Sequence, residues 1–326
     1  MKYRQLGRTG AYVSEFIFGC GNVGGMMIRQ PYDMMRKAAG DAIAAGINWF
    51  DTAAMYGDGK SEENLGKVLR DLDAHVHVST KGTVNAESSE PYYDQMKRTC
   101  EESLARLGYG IDLFQLHGRV STDGAARSLT PEQILRPNGI LDAMERLRDE
   151  WKYKWIGITC LGDTDGIIEV LSSGRLDACQ VYINAINPTA AHKKGRKPVP
   201  ATGQDFAGVI DAAKKKDVGV IAIRTLAAGA LAGAPSLNAR ALLTTNTDPA
   251  DEVRKADALY TAMGPDYGTR AQLALRYALS IPNLTCVDFA IGEPEHLPEG
   301  LRATALGKLP KPALDKMDKL FKSDFR

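Results

Sequence analysis

Short apolar runs alternate with longer amphipathic stretches from residue 16 almost to the end of the chain. This alternation limits the fold more than any other feature. The apolar runs are Phe16–Gly19, Ile47–Asp51, His75–Lys81, Ile111–His117, Trp155–Thr159, Ala178–Tyr182, Val218–Ile223 and Leu284–Phe289. Helix-like stretches follow at 32–45, 61–72, 91–107, 139–150, 163–173, 204–216, 269–280 and 294–303. Strands alternating with helices form βα units and a parallel sheet. Eight units predict an α/β fold, a closed (β/α)8 TIM barrel, with an open doubly wound sheet as the alternative. No linker, low-complexity tract or shift of composition divides the chain, so a single domain over 1–326 is expected.

Two segments stand outside the repeat. Tyr3–Glu15 carries GRTG between two short strand-like runs, which predicts a β-hairpin ahead of the first barrel strand. Residues 225–262 exceed a plain βα loop and hold a turn cluster, TTNTDPAD, so a functional loop and an extra helix are expected there. The full expectation is a (β/α)8 TIM barrel with an N-terminal β-hairpin and an extra C-terminal helix.

Charge narrows the function classes. The 41 Lys and Arg balance 40 Asp and Glu, a net +1, which gives no electrostatic reason to expect nucleic acid or a membrane as partner. Five cysteines, at 20, 100, 160, 179 and 286, form no CxxC pair, which suits a reduced compartment without disulfides or a zinc site. The N-terminal stretch lacks a signal-peptide core, and no apolar run nears the ~20 residues that span a bilayer. The expectation is a cytoplasmic protein.

In a parallel barrel the C-terminal strand ends share one rim, where chemistry resides. The second strand ends on Asp51, the third (HVHVSTK) on Lys81 and the fourth (DLFQLH) on His117. Adjacent strands thus bring a carboxylate, an ammonium and an imidazole side by side, and Tyr56 sits on the loop above the first. Each residue alone has an ordinary explanation: a turn carboxylate, a solvated lysine, a structural histidine, a packing tyrosine. Together they perturb one another. An ammonium beside a phenol is expected to lower the tyrosine pKa, with Asp51 fixing Lys81 and His117 orienting a carbonyl. A proton donor aimed at a carbonyl, without an activated nucleophile, suits hydride transfer.

These residues carry a resemblance. GINWFDTAAMYGDGKSEENLGKVL, VSTKG, DLFQLHG, WIGIT and QVYIN resemble the aldo-keto reductase superfamily in order and spacing, and GIT with DFAIGEP is similar to its galactose- or aldose-dehydrogenase branch. The resemblance implies catalytic Asp51, Tyr56, Lys81 and His117. It implies an extended nicotinamide dinucleotide touching Gly21, Asn22, Thr159, Cys160, Gln180, Arg224, Leu226, Ala228, Gly292 and His296. The activity implied is NAD(P)(H)-dependent interconversion of an aldehyde or ketone with an alcohol or sugar, with no metal. Cys160 stands where the family commonly has Asn, and Arg224 where it has Ser.

The cofactor evidence divides. Asp288, Glu293, Glu295 and Glu299 around the eighth strand repel a 2′-phosphate and favour NAD(H). The family's habit, with Arg276 and Arg302 nearby, favours NADP(H), and NADP(H) is the expectation with NAD(H) as the alternative. The basic run at 192–197 is a further phosphate candidate. His75 and His77 share strand parity but have no evident third ligand. Loops 20–31, 118–138 and 225–250 are expected to shape the substrate pocket. The competing classes are a Schiff-base lyase using Lys81 and a non-catalytic nicotinamide-binding subunit.

Overall fold

The computed structural model describes residues 1–195, 203–235, 244 and 247–326. Eight parallel strands close into a barrel: β1 Phe16–Gly19, β2 Trp49–Asp51, β3 His77–Gly82, β4 Leu113–Leu116, β5 Trp155–Thr159, β6 Ala178–Tyr182, β7 Gly219–Ile223 and β8 Cys286–Ala290. β8 pairs with β1 through Asp288 opposite Ile17 and Ala290 opposite Gly19, which completes the ring. The helices that follow the strands are α1 Tyr32–Ala44, α2 Lys60–Asp71, α3 Tyr92–Leu107, α4 Ile140–Asp149, α5 Thr164–Ser172, α6 Val209–Lys215, α7 Arg270–Ser280 and α8 His296–Leu306. The open-sheet alternative is thereby excluded.

Strand parity explains where the cores lie, because successive side chains point to opposite faces. Phe16, Phe18, Phe50, Val78, Phe114, Ile156 and Ile158 face outward and join the helices in one large core. Phe18 and Phe50 stack there with ring centres 4.9 Å apart. The inward set divides along the barrel axis. Ile17, Trp49, Leu113, Ala178, Ile221 and Cys286 fill the lower end. Leu6, just past the hairpin strand Tyr3–Gln5, and Val13, in its partner Tyr12–Ser14, plug it from below. The upper inward positions are polar: Asp51, Lys81, Gln115, Thr159 and Gln180 are all buried.

Two departures refine the sequence expectations, and the extra helices form where they were expected. β3 begins at His77, not His75, and β4 stops at Leu116, so His117 is the first residue past its strand. A small parallel sheet of Leu161–Gly162, Arg119–Val120 and Ser128–Leu129 sits on the rim; strands this short leave no alternation to read. The long segment after β7 contains the helix Pro249–Met263, and Lys311–Lys322 forms the C-terminal helix. Leu259, Met263, Leu309, Met317 and Phe321 bury these two helices against each other and the loop after β7. No helix among the described residues is long and apolar enough to cross a membrane.

Candidate active site

The top of the barrel opens into a cavity of about 1200 Å³, lined by residues from nearly every strand end. At its floor Asp51 gathers donors from three other strands. Its Oδ1 accepts from Ser79 Oγ at 2.6 Å, Gln180 Nε2 at 2.8 Å and Gln115 Nε2 at 3.2 Å. Its Oδ2 pairs with the Lys81 ammonium. Lys81 Nζ also donates to the Thr52 carbonyl at 2.7 Å. A buried carboxylate is tolerated only when paired and hydrogen-bonded in this way. Ser79 is held in turn by the Trp49 indole N–H at 2.9 Å.

Tyr56 lies over this floor. Lys81 Nζ is 4.8 Å from its ring centre, and the His117 ring meets it edge-on at 6.3 Å between centroids. The turn behind it runs left-handed through Gly57, Asp58 and Gly59, with φ of 61°, 54° and 92°. A Cβ at Gly57 would meet Ile28 Cγ2 at 2.7 Å, so glycine is required both for the conformation and for the space. The Gly57 N–H donates to Asn22 Oδ1 at 3.0 Å, which ties the tyrosine loop to the loop after β1.

The electrostatics correct one sequence expectation. Burial holds the Tyr56 phenol above its ordinary pKa; Lys81 pulls it down, by charge and by a hydrogen bond, but does not win. For Lys81 itself, burial disfavours the ammonium, yet Asp51 with Tyr56 and Asp288 outweighs it and raises the pKa. Burial, with Lys81 adding to it, depresses the His117 imidazole to about 3. The cluster near neutral pH is therefore a protonated phenol, an ammonium and a neutral imidazole. His117 Nδ1 is buried and unpartnered.

The remaining sequence candidates separate into two groups. Gly21, Asn22, Thr159, Gln180, Arg224, Leu226, Ala228, Gly292 and His296 all line the cavity. Thr159 Oγ1 donates to Gln180 Oε1 at 3.3 Å, so the two present one polar edge. Arg224 has a φ of 60° and its carbonyl accepts from Asn184 Nδ2 at 3.2 Å. Its guanidinium has no ion-pair partner among the described residues. Ala227 and Ala228 continue the left-handed path at 47° and 52°, and such strain in non-glycine residues gathers at ligand sites. Cys160 does not join them. It is fully buried outside the cavity, where its free thiol shares a hydrogen bond with that of Cys179. It is the residue after β5 and has the outward parity of Ile158, so its side chain points to the helix layer.

Other expectations also move. Asp288, within β8, faces the Asp51–Lys81 cluster. Glu293 and Glu299 line the cavity and Glu295 does not. Arg276 is committed to the carbonyls of Tyr267, Gly307 and Lys308. Arg302 is exposed, outside the cavity lining. Lys194 pairs with Asp165 at 2.7 Å, while Arg196 and Lys197 lie outside the described residues. His77 pairs with Asp112 at 3.1 Å. Sequence reasoning did not single out Ser79, Gln115 and Asn184. The first two share strand parity with Lys81 and His117, and that was the available signal.

Comparison with known proteins agrees with this arrangement. The profile of the Aldo/keto reductase family matches residues 15–322. An L-galactose dehydrogenase of Arabidopsis thaliana is 26% identical over 316 residues, covering 93% of this chain and 88% of that protein. An uncharacterized oxidoreductase, YqkF of Bacillus subtilis (strain 168), is 29% identical over 148 residues, covering 43% of this chain and 47% of that protein. The holo form of the aldo-keto reductase AKR11C1 from Bacillus halodurans superposes with a TM-score of 0.72 at 21% identity, over 98% of this chain and 96% of that one. With the barrel, the clustered rim residues and a family profile that spans nearly its whole length, this chain is an oxidoreductase of the Aldo/keto reductase family.

Proposed function

We propose that this protein, as one catalytic domain, interconverts an alcohol or sugar with its aldehyde, ketone or lactone-level product, using a nicotinamide dinucleotide. The observation that carries the reading is the Tyr56 hydroxyl set beside a charged Lys81 and a neutral His117 in one cavity. A bound nicotinamide supplies or accepts the hydride. Tyr56 gives its proton to the carbonyl oxygen in reduction and takes the alcohol proton in oxidation. Lys81 offsets the charge that the phenol oxygen then acquires. His117 donates a hydrogen bond to the same substrate oxygen and orients it. Lys81 is no amine nucleophile, because Asp51 keeps it protonated, and this argues against Schiff-base chemistry.

The cavity suits the dinucleotide. Lining the cavity, Thr159 and Gln180 would hold its carboxamide, and Arg224, Leu226 and Ala228 its pyrophosphate. Gly21 and Asn22 would border the reactive end and Gly292 and His296 the adenosine end. Two buried polar atoms, His117 Nδ1 and Asp288 Oδ1, await partners. Arg276 is spent on carbonyls and Arg302 lies outside the cavity, whereas Glu293 and Glu299 line it beside His296. Carboxylates there accept from ribose hydroxyls and repel a phosphate, so we read the cofactor as NAD(H). The similarity to L-galactose dehydrogenase supports an aldose or related alcohol as substrate class. A panel of aldoses, alcohols and carbonyls assayed with all four dinucleotide forms tests this. Turnover with NAD(H) is expected, and no turnover with any pair would contradict it.

A further inference from the structure

Asp288 is a half-buried residue that the reaction above does not use. It projects from β8 into the barrel, and its Oδ1 is buried without a partner. Room for it is made on β1: a Cβ at Gly19 would come 2.3 Å from Asp288 Oδ1, so only glycine there lets the carboxyl lie against that strand. Gly19 is in register with Asp51, and Asp288 therefore sits beside the Asp51–Lys81 pair and lines the same cavity as Tyr56, Thr159 and Gln180. The Lys81 ammonium acts on it, but that ammonium is paired with Asp51 and donates to Thr52. The Arg224 guanidinium is not among the groups that act on Asp288.

Two carboxyls share one ammonium on this cavity floor, so Asp288 holds a proton that a second positive charge would displace. The nicotinamide ring carries a positive charge only when oxidised. We propose that Asp288 is the counter-charge for the oxidised nicotinamide, favouring NAD⁺ over NADH in the site. The proposal rests on the dinucleotide reading above and adds a redox-state preference to it.

The groups facing Asp288 are Asp51, Lys81, Tyr56, Cys20 and Cys286. Burial, then the Asp51 carboxylate, hold Asp288 well above the usual carboxylate range against the pull of Lys81. Burial raises Tyr56, Cys20 and Cys286 as well, so these keep their protons, and Lys81 keeps its charge. Asp288 is thus the member of the cluster that gives up a proton when positive charge arrives. Binding of the oxidised form then tightens as pH rises, while binding of the neutral reduced ring does not.

The test is calorimetric titration of wild type and Asp288→Asn with NAD⁺ and NADH between about pH 5 and pH 9, in two buffers of different ionisation enthalpy. In wild type the NAD⁺ preference should rise with pH by up to about tenfold per unit until Asp288 ionises in the free protein, with proton release on NAD⁺ binding alone. Asp288→Asn, which leaves His296, Glu293 and Glu299 in place, should abolish the proton release and shift the ratio at least about tenfold toward NADH at high pH. A flat ratio in wild type, or an unchanged one in Asp288→Asn, overturns the proposal alone. Should the variant fold poorly, the wild-type pH series and proton count decide. Wild type that binds neither form overturns the dinucleotide reading and this proposal with it.

Discussion

Lys81 sits between Asp51 and Tyr56, its ammonium paired with the carboxylate on one side and 4.8 Å from the phenol ring on the other. Lys81→Met keeps the side-chain length and removes the charge. The Tyr56 phenol, already raised by burial, then loses its main downward pull. The rising limb of the kcat/KM profile for alcohol oxidation, set by ionisation of Tyr56, should move to higher pH and turnover should fall. Breaking a buried ion pair by removing one partner costs about 3–5 kcal/mol, and the three remaining donors to Asp51 place this variant toward the lower end. Kinetics across pH and urea unfolding check both statements; an unmoved limb would show that Lys81 does not tune the phenol.

His117 carries a pH signature of its own. Its folded-state value is depressed to about 3 from an ordinary 6.5. Between those values the unfolded chain binds a proton that the folded one refuses, so the His117 contribution is lost as pH falls from 6.5 toward 3. His117→Gln should flatten the acid limb of stability in that window. Its imidazole proton resonances in wild type should not titrate between about pH 5 and pH 8, as those of an unperturbed histidine would.

The turn under Tyr56 is a mechanical constraint. Gly57 has a φ of 61° and would press a Cβ against Ile28. Gly57→Ala should cost about 1–2 kcal/mol for the left-handed backbone alone. It should also lower kcat by displacing the phenol while leaving dinucleotide affinity close to wild type. Unfolding and binding titrations separate the two effects.

Cofactor choice is read at the adenosine end. Replacing Glu293 and Glu299 with Gln removes like-charge repulsion worth about 1 kcal/mol per close pair even in water. NADPH affinity should rise relative to NADH, and the gain should shrink at high salt. An unchanged ratio would move the discrimination away from these carboxylates.

The barrel and the rim cluster were legible for the same reason: period-two parity and βα spacing fix which residues reach the rim, whatever the loops do. Asp51, Lys81 and His117 end consecutive apolar runs, and the structure brings them together under Tyr56. The direction of the Tyr56 shift was not legible, because charge proximity shows in sequence and depth of burial does not. Cys160 was misplaced by one parity step: it follows a strand end and points outward to Cys179. Asp288 falls within the eighth apolar run, but its place beside Asp51 and Lys81 was not legible. Its place depends on the missing Cβ of Gly19, a contact between chain ends that no local pattern encodes.

The account turns on Tyr56 as the group that moves the proton. Tyr56→Phe keeps the ring over Lys81 and removes only the hydroxyl. The decisive measurement is single-turnover kinetics of this variant on the best alcohol or carbonyl substrate, with dinucleotide affinity titrated alongside. The account predicts a rate lower by roughly 10²–10⁴-fold with cofactor affinity nearly unchanged. A variant that turns over an unactivated substrate at close to the wild-type rate would contradict it.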